Sequence, residues 1–348
     1  IKNASLHIND YPVQIDGTTK NVDFVEFEVT KNDIRNGNAV IAVKDAGGTI
    51  LWSWHLWFDH ADALDIIPTK NFENITYKFA RRTLGYIHLK NEGTNYVKPR
   101  KIKITVAQQG GSNQTKETAQ FIITQDKKDK VKEDFATYYQ FGRKDALPGM
   151  NTLYDGSSGE SPSTTAFKRV AGYQTIGTLI QNPGTIYCSS NYPFTPYNNP
   201  YCNLWSANNT ILNNWSNDVV IKTIYDPCPA GFHLPASKAF TGFTKSGNQA
   251  NLQSDFNTKG DWDRGWNFYT LPHPSVTSTT PTIYFPALGR LRGTDGLLDG
   301  IGEGMYWGAF SNTKSDGFNL YFNEHYGVYP KTGNGYSNGF SIRPVADN

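Results

Sequence analysis

Alternating apolar and polar residues fill the first third of the chain and predict short β-strands. In residues 24–29 the side chains of Val25, Phe27 and Val29 alternate with two glutamates, and a period of two residues is typical of a strand with one buried face. Further strands are predicted at residues 38–43, 50–58, 75–79, 84–89, 101–107 and 119–124. About seven short strands at this spacing indicate an all-β sandwich, immunoglobulin-like or transthyretin-like, over residues 1–126.

The strand at residues 50–58 is apolar on both of its faces. Trp52 and Trp54 lie on one face and Trp57 lies on the other, because successive side chains of a strand point in opposite directions. The Asp-Ala-Gly-Gly turn at residues 45–48 joins this strand to the preceding one as a hairpin. We therefore expect both faces of this strand to be covered by other parts of the protein.

The end of the chain alternates in the same way but with more amides and tyrosines. Within residues 317–326, Phe318, Leu320 and Phe322 alternate with polar side chains, which predicts a half-buried strand. After a turn-rich stretch, residues 339–344 are predicted to form another strand that fixes the C-terminus in the core. Tyr, Asn, Ser and His on the outward face are the side chains that antibody paratopes use for contact. The alternative is that Asn and Gly only form turns here and that Tyr only favours strands.

Helical patterns are short and few, and they shape the predicted fold class. Residues 166–181 are predicted to be a helix, with Phe167, Val170, Ile176 and Ile180 as its main apolar positions and a proline just beyond its end. A second short helix is expected after Pro235, with two phenylalanines packing inward. Together with the strands, these segments predict an α+β protein with a sandwich domain first and a mixed α+β domain second.

Composition and charge narrow the function classes. Charged residues make up only 18% and aromatic residues 14% of the 348 residues, which favours short strands and elaborate loops over helix bundles. A net charge of +2 gives no reason to expect a nucleic-acid partner. There is also no apolar run of about eighteen residues, so we expect no membrane-spanning segment. Charge is concentrated at residues 126–133, which divides the chain into residues 1–126, a linker at 127–134, and residues 135–348.

The three cysteines allow several pairings. Cys188 and Cys202 bracket a loop, and a disulfide between them would stabilise the fold by ~3 kcal/mol. We prefer this pairing, which leaves Cys228 unpaired. Because Cys228 lies between two prolines, we interpret it as a small buried apolar residue rather than a nucleophile.

Two acidic stretches are candidate sites for a metal ion or for catalysis. The first contains His55, Asp59, His60, Asp62 and Asp65. The second contains Asp295, Asp299 and Glu303. Neither has a recognised ligand spacing or motif, so the first reads as loop residues and helix caps and the second as a solvated loop. We expect no metal, no cofactor and no catalytic residues.

Five sequence blocks in the second part of the chain resemble, in order, the Fibrobacter succinogenes major paralogous domain. The blocks are YYQFGRKD at 138–145, KTIYDPCPAGFHLP at 222–235, FPALGR at 285–290, MYW at 305–307 and GFSIRPV at 339–345. This domain is widespread in surface proteins of Bacteroidetes and is similar to C-type lectin-like folds. Residues 37–43 and 50–57 look like the β-sandwich region that precedes the domain in Bacteroides surface and fimbrial-tip-like proteins.

The resemblance implies export and a binding role at the cell surface, and it suggests which residues contact the ligand. Since the chain begins at Ile1 without a signal pattern, any targeting segment is expected to have been removed. Trp307 and Phe340 look like buried framework. The calcium-binding triplet of sugar-binding C-type lectins is absent, so the resemblance does not support calcium-dependent sugar binding. The expected ligand-binding residues are Asn319, Tyr321, Asn323, His325, Tyr326, Tyr329, Tyr336 and Asn338.

These observations predict an adhesin-like binding protein rather than an enzyme. The expected location is the cell surface, the outer membrane or a fimbrium, where a fimbrial-tip position is one candidate. The expected partners are a host or microbial glycan or protein, together with other fimbrial subunits. The alternative is a structural subunit of a pilus or envelope that has no ligand of its own. An enzyme is the least favoured reading, because no nucleophile motif is found.

Overall fold

The computed structural model describes residues 3–15, 17–32, 34–90, 100–107, 117–125, 132–151, 167–172, 174–188, 204–208, 217, 219–313 and 315–347. Strands account for 51% and helix for only 4% of the structure. The predicted α+β class is therefore wrong, because the protein is almost entirely β and consists of many small sheets. None of the helices in these ranges is long and apolar enough to cross a membrane.

The elements are numbered in chain order. The first strands are β1 (Asn3–Ile15), β2 (Thr18–Glu28), β3 (Gly37–Lys44), β4 (Ile50–Phe58), β5 (Ile66–Lys70), β6 (Thr76–Ala80), β7 (Ile87–Lys90), β8 (Arg100–Ala107), β9 (Thr118–Gln125), β10 (Lys132–Gln140) and β11 (Leu147–Asn151). They are followed by β12 (Lys168–Ala171), α1 (Ile176–Gln181), β13 (Thr185–Cys188), β14 (Phe232–His233), β15 (Gly265–Tyr269), β16 (Thr282–Pro286), β17 (Arg290–Leu291), β18 (Leu298–Asp299), β19 (Glu303–Ser311), β20 (Asp316–Asn323), β21 (Val328–Gly335), β22 (Gly339–Phe340) and β23 (Val345–Ala346).

The helix predicted at residues 166–181 is mostly not a helix. Val170 belongs to β12, which pairs in parallel with β13 and places Val170 opposite Tyr187. Gly172 has φ +96° and ends this strand, a conformation that an α-helix cannot contain. Helix α1 begins only after Thr175, whose Oγ1 accepts a hydrogen bond from the Thr178 N–H at 3.1 Å and caps the helix.

The helix expected after Pro235 is reduced to a single 3₁₀ turn at Thr241–Phe243. The inward packing predicted there is confirmed, since Phe240 and Phe243 are both buried. Phe243 stacks on Phe268 with ring centroids 4.1 Å apart. The segment therefore contributes to the core through its aromatic rings rather than through helical structure.

The chain forms two compact units, residues 88–134 and residues 1–87 together with 135–348. The smaller unit contains the antiparallel hairpin β8–β9, in which Ile102 lies opposite Ile123 and Ile104 lies opposite Phe121. These side chains share one face of the hairpin, and Ile102, Phe121 and Ile123 are exposed. Within the described residues this apolar face is largely uncovered.

In the larger unit, the strands of the first 87 residues do not form a sandwich of their own. The pairs β1–β2 and β3–β4 are separate two-stranded sheets, while β5 and β6 belong to a sheet in the order β14–β23–β6–β5. Val345 of β23 lies between Phe79 of β6 and His233 of β14. This corrects the predicted N-terminal sandwich, because alternation identifies strands but not their partners. Residues 127–131 of the predicted linker lie outside the described ranges.

The C-terminal part of the larger unit contains a sheet in the order β19–β20–β21 and an extensive aromatic core. Phe318, Leu320 and Phe322 of β20 point into this core and are fully buried. The framework role expected for Trp307 and Phe340 is confirmed, because both are buried and their rings stack at 4.1 Å. These contacts hold the sheet on which the predicted ligand-binding residues lie.

Arg343, from the GFSIRPV block, is buried and joins distant parts of the larger unit. Its guanidinium donates to the backbone carbonyl of Ala80 at 3.2 Å, and also to those of Arg81 and Tyr284. It lies over the ring of Phe285 at 4.3 Å. Burial lowers the pKa of Arg343 to about 10, so it remains charged at neutral pH and is compensated by carbonyl dipoles.

Candidate functional site

Three of the eight predicted ligand-binding residues are buried. Asn319, Asn323 and Tyr336 are almost inaccessible to solvent. Asn319 accepts a hydrogen bond from Asn334 Nδ2 at 3.0 Å, and the hydroxyl of Tyr336 lies 2.7 Å from Ser311 Oγ. These side chains use their polar atoms inside the protein, as buried polar groups generally do, and they cannot contact a ligand.

Asn338 also has an internal role. Its Oδ1 accepts a hydrogen bond from the Gly293 N–H at 2.9 Å, and its Nδ2 donates to the Gly335 carbonyl at 3.0 Å. The side chain is half-buried and connects two loops. Asn338 therefore stabilises these loops, because both polar atoms of its side chain are hydrogen-bonded to neighbouring backbone groups.

The remaining four residues come together at the turn between β20 and β21. We call Tyr321, His325, Tyr326 and Tyr329 the tyrosine patch. The rings of Tyr321 and Tyr329 lie side by side on the sheet with centroids 5.3 Å apart. Tyr326 is the most accessible member, with 75% of its surface exposed, and His325 is also exposed. The patch thus combines a fixed pair of rings with a projecting one.

Hydrogen bonds fix the hydroxyl groups of the paired tyrosines. Tyr321 donates to Glu303 Oε1 at 3.1 Å and accepts from Asn323 Nδ2 at 2.8 Å. Tyr329 donates to Asn251 Oδ1 at 3.0 Å. Burial, followed by the nearby Glu303 carboxylate, raises the pKa of Tyr321 to about 12. The hydroxyl therefore remains protonated, and the patch presents rigid, uncharged rings bordered by amide and carboxylate groups.

Asn323 shapes the turn that carries the patch. Its Oδ1 accepts hydrogen bonds from three successive backbone N–H groups, those of His325, Tyr326 and Gly327. An Asn side chain that bonds to the backbone just after it is a common way to stabilise a turn. Asn323 therefore positions Tyr326 instead of contacting a ligand itself.

A second feature is a pocket of about 880 Å³ that is lined mainly by β4 and by the loop at residues 226–230. We call it the tryptophan pocket. Its aromatic walls are formed by Phe27, Trp52, Trp54, Trp57 and Phe58. Ile224, Pro227 and Pro229 also line the pocket. Trp54 is 40% exposed and Ile224 70% exposed, so the pocket has large apolar side chains in contact with water.

A buried ionic cluster supports one wall of the pocket. Lys144 Nζ lies 2.6 Å from Ser53 Oγ, 3.1 Å from the Ser53 carbonyl oxygen and 2.7 Å from Asp145 Oδ1. The same ammonium group lies over the ring of Trp52 at 4.4 Å, a favourable cation–π contact. Arg143 donates to the other oxygen of Asp145 at 3.0 Å. Burial lowers the pKa of Lys144, while Asp145 acts in the opposite direction.

Asp226 organises the loop that forms the opposite wall. Its Oδ1 accepts from the Cys228 N–H at 2.8 Å and from Lys222 Nζ at 3.1 Å, and its Oδ2 accepts from the Leu234 N–H at 3.0 Å. Burial raises the pKa of Asp226, and Lys222 opposes this shift. Burial also raises the pKa of the Cys228 thiol well above its usual value, so the thiol is protonated and unreactive.

His55 lies on β4 beside the pocket and is neutral. Its Nε2 donates to Asn38 Oδ1 at 2.8 Å, and its Nδ1 accepts from the hydroxyl of Tyr139 at 2.8 Å. Burial lowers its pKa to about 4. With both nitrogens engaged, His55 contributes to packing and not to proton transfer.

The aspartates of the two acidic stretches form ion pairs with arginines. Asp59 pairs with Arg82 at 3.5 Å and Asp65 with Arg81 at 3.3 Å. Further along the chain, Asp299 pairs with Arg290 and Asp295 with Arg292. In the part of the chain that the structure describes, no group of three or more His, Cys, Asp or Glu residues is placed to hold a metal ion.

The cysteines differ from the preferred pairing. Cys188 is a free, buried thiol, so this structure does not contain the predicted bridge, and Cys202 lies outside the described residues. Cys228 is also free and buried, as its interpretation as a small apolar residue requires. Burial raises the pKa of Cys188 to about 11.

No family model, curated protein or solved structure matches the chain. The resemblance to the major paralogous domain therefore stays a prediction.

The residues that line the pocket are conspicuous in the sequence, but the pocket itself could not be predicted from it. Trp52, Trp54 and Trp57 stood out as bulky side chains on one strand, and residues 226–230 stood out as part of a motif. No local pattern connects the two segments, because they are far apart along the chain. The one available signal was the concentration of three tryptophans on a short strand.

Proposed function

We propose that this protein is an adhesin-like binding protein of the cell surface that contacts a glycan or protein ligand through the tyrosine patch. The observation that carries the proposal is the convergence of Tyr321, Tyr326 and Tyr329 at one turn, with the hydroxyls of Tyr321 and Tyr329 held by Glu303 and Asn251. Aromatic side chains fixed in this way lose little conformational entropy on binding and are frequent binding hot spots.

The patch suits a ligand that offers both a flat apolar surface and hydrogen-bonding groups. Exposed rings stack against sugar faces or apolar side chains. The neighbouring amide and carboxylate groups can pair with hydroxyl or amide groups at the edge of the ligand. A non-catalytic role is part of the proposal, because His55 is neutral, Asp295 and Asp299 are paired with arginines, and Glu303 accepts a hydrogen bond from Tyr321.

The test is a binding experiment with the purified full chain on an array of glycans and on a panel of host surface proteins. Tyr326→Ala removes the most exposed ring and is expected to weaken any saturable binding by about tenfold or more. Tyr321→Phe removes one hydroxyl and is expected to have a smaller effect.

Tyr11→Ala provides a matched control, since Tyr11 is an exposed tyrosine on β1 and lies outside the patch. It should bind like the unchanged protein. Equal binding by Tyr326→Ala and the unchanged protein would contradict the proposal, provided that both have the same circular dichroism spectrum.

A structural subunit is a second candidate because of the hairpin β8–β9. Its exposed apolar face, with Ile102, Phe121 and Ile123, is the kind of surface that assembly with another subunit would cover. Under this alternative, Ile123→Ser would reduce co-purification with envelope or pilus subunits, whereas Tyr326→Ala would not. The opposite pattern would favour the adhesin. Protease treatment of intact cells tests the proposed surface location, since a surface protein is cleaved.

A further inference from the structure

The tryptophan pocket has no role in the function proposed above, and the chemistry of its walls indicates what it can hold. Its volume of about 880 Å³ falls within the range of ~300–1,000 Å³ that is typical of small-molecule sites. Trp54 and Ile224, two of the lining side chains, leave apolar surface in contact with water. Covering such surface is favourable by roughly 25 cal/mol per Å².

The charges beside the pocket are already compensated. Lys144 contacts the oxygens of Ser53 and Asp145, and Asp226 accepts hydrogen bonds through both of its oxygens. A charged ligand would have to lose its hydration without gaining a free counter-charge from either residue, which is costly. The lining therefore favours an uncharged ligand.

Ser53 and His55, two polar side chains of the lining, are also engaged, whereas the Nε1–H of Trp57 is buried without a hydrogen-bond partner. Both nitrogens of His55 and the hydroxyl of Ser53 have partners within the protein. A sugar presents hydroxyl groups on all of its edges, and each hydroxyl that is buried without a partner costs about 1–3 kcal/mol. The aromatic walls suit an apolar molecule better, because such a molecule needs few hydrogen bonds.

We propose that the tryptophan pocket binds an uncharged, mainly apolar small molecule between the indole rings of β4 and the loop at residues 226–230. The pocket shares no residue with the tyrosine patch, so this inference does not depend on the proposed surface function.

N-phenyl-1-naphthylamine, an uncharged apolar dye, is a suitable probe. Titrated into the full chain, it should bind at one saturable site and quench tryptophan fluorescence by energy transfer. Trp54→Ala removes a partly exposed ring of the wall and should weaken binding about tenfold. Ile224→Glu places a charge in the lining of the pocket and should weaken binding to a similar extent. Thermal unfolding of each variant identifies any loss of fold.

Ile122→Glu is the matched control, because Ile122 is another exposed isoleucine and belongs to the smaller unit. This variant and Tyr326→Ala should bind the dye within about twofold of the unchanged protein. Equal loss with Ile122→Glu, or several dye molecules bound per chain, would show general binding to exposed apolar surface and overturn the proposal.

Two further probes test the chemical class. The anionic dye 1-anilinonaphthalene-8-sulfonate should bind less tightly than the uncharged dye. Cellohexaose and maltohexaose should not displace the uncharged dye. Displacement by either oligosaccharide that depends on Trp54 would identify a sugar site and overturn the proposal, as would tighter binding of the anionic dye.

Discussion

Strands β4 and β20 have surroundings opposite to those that their sequences predict. In β4 only Ser53 is fully buried, and its tryptophans remain partly accessible around a pocket. In β20 only Asp316 and Tyr321 keep substantial contact with solvent. The sequence pattern had predicted the reverse, with β4 covered on both faces and β20 exposed on one.

The difference follows from the neighbours of each strand. β20 is the central strand of its sheet and has a partner on each side, whereas β3 is the one strand that pairs with β4 among the described residues. Asn319 tolerates burial because Asn334 and the Leu320 carbonyl satisfy its amide. An alternating pattern thus indicates which residues share a face, but not what packs against that face.

Phe322→Ala should have the largest effect on stability. Its ring lies in the aromatic core of the larger unit, and removing a buried Phe costs about 3–5 kcal/mol of unfolding free energy. Urea unfolding measures the loss. Trp54→Ala on β4 is the control and should cost less than about 1.5 kcal/mol, because its ring is already 40% exposed. Similar losses in both variants would contradict the contrast between the two strands.

His55 should make the stability of the protein depend on pH. Burial lowers its pKa from 6.5 to about 4, so the unfolded chain takes up a proton at a higher pH than the folded one. The contribution of His55 to the free energy of unfolding amounts to about 3 kcal/mol. It is fully present above pH 6.5 and is lost as the pH falls from 6.5 to 4. Urea unfolding of His55→Gln should show a shallower decline over this interval. An identical pH profile in both proteins would mean that His55 is not buried as described.

Asn323→Ala should destabilise the turn that carries the tyrosine patch. The change removes the acceptor of three backbone N–H groups, at a cost of about 1–3 kcal/mol. Hydrogen exchange should accelerate at residues 325–327 in particular. Gln249→Ala, at an exposed position, serves as control and should change stability by less than about 0.5 kcal/mol. Unchanged exchange at the turn would show that Asn323 does not hold it.

Much of the strand content could be predicted from local patterns. The strand expected at residues 50–58 is β4, and that expected at 119–124 is β9 with one residue added at each end. Pairing between distant segments could not be predicted, as the contact of Phe79 with Val345 illustrates. The prediction of a helix at residues 166–181 was wrong, because Gly172 adopts a positive φ and Val170 lies in a strand paired with Tyr187.

The exposure of the predicted binding residues could be anticipated only where the local turn decides it. Tyr326 lies at the tip of a turn and is exposed, whereas Tyr336 looked equivalent in sequence but stacks on Phe141 at 4.5 Å. Whether a tyrosine faces solvent depends on packing from remote segments, which the period of two residues does not encode.

The position of β23 between β6 and β14 has a consequence for how the protein matures. Synthesis proceeds from the N-terminus, so β5 and β6 are made long before their neighbour at residues 345–346 exists. Contacts between such distant positions form slowly because a long loop must close first. Until then the edge of β6 is unpaired, and a nascent chain held by a chaperone would be protected at this edge against association with other chains.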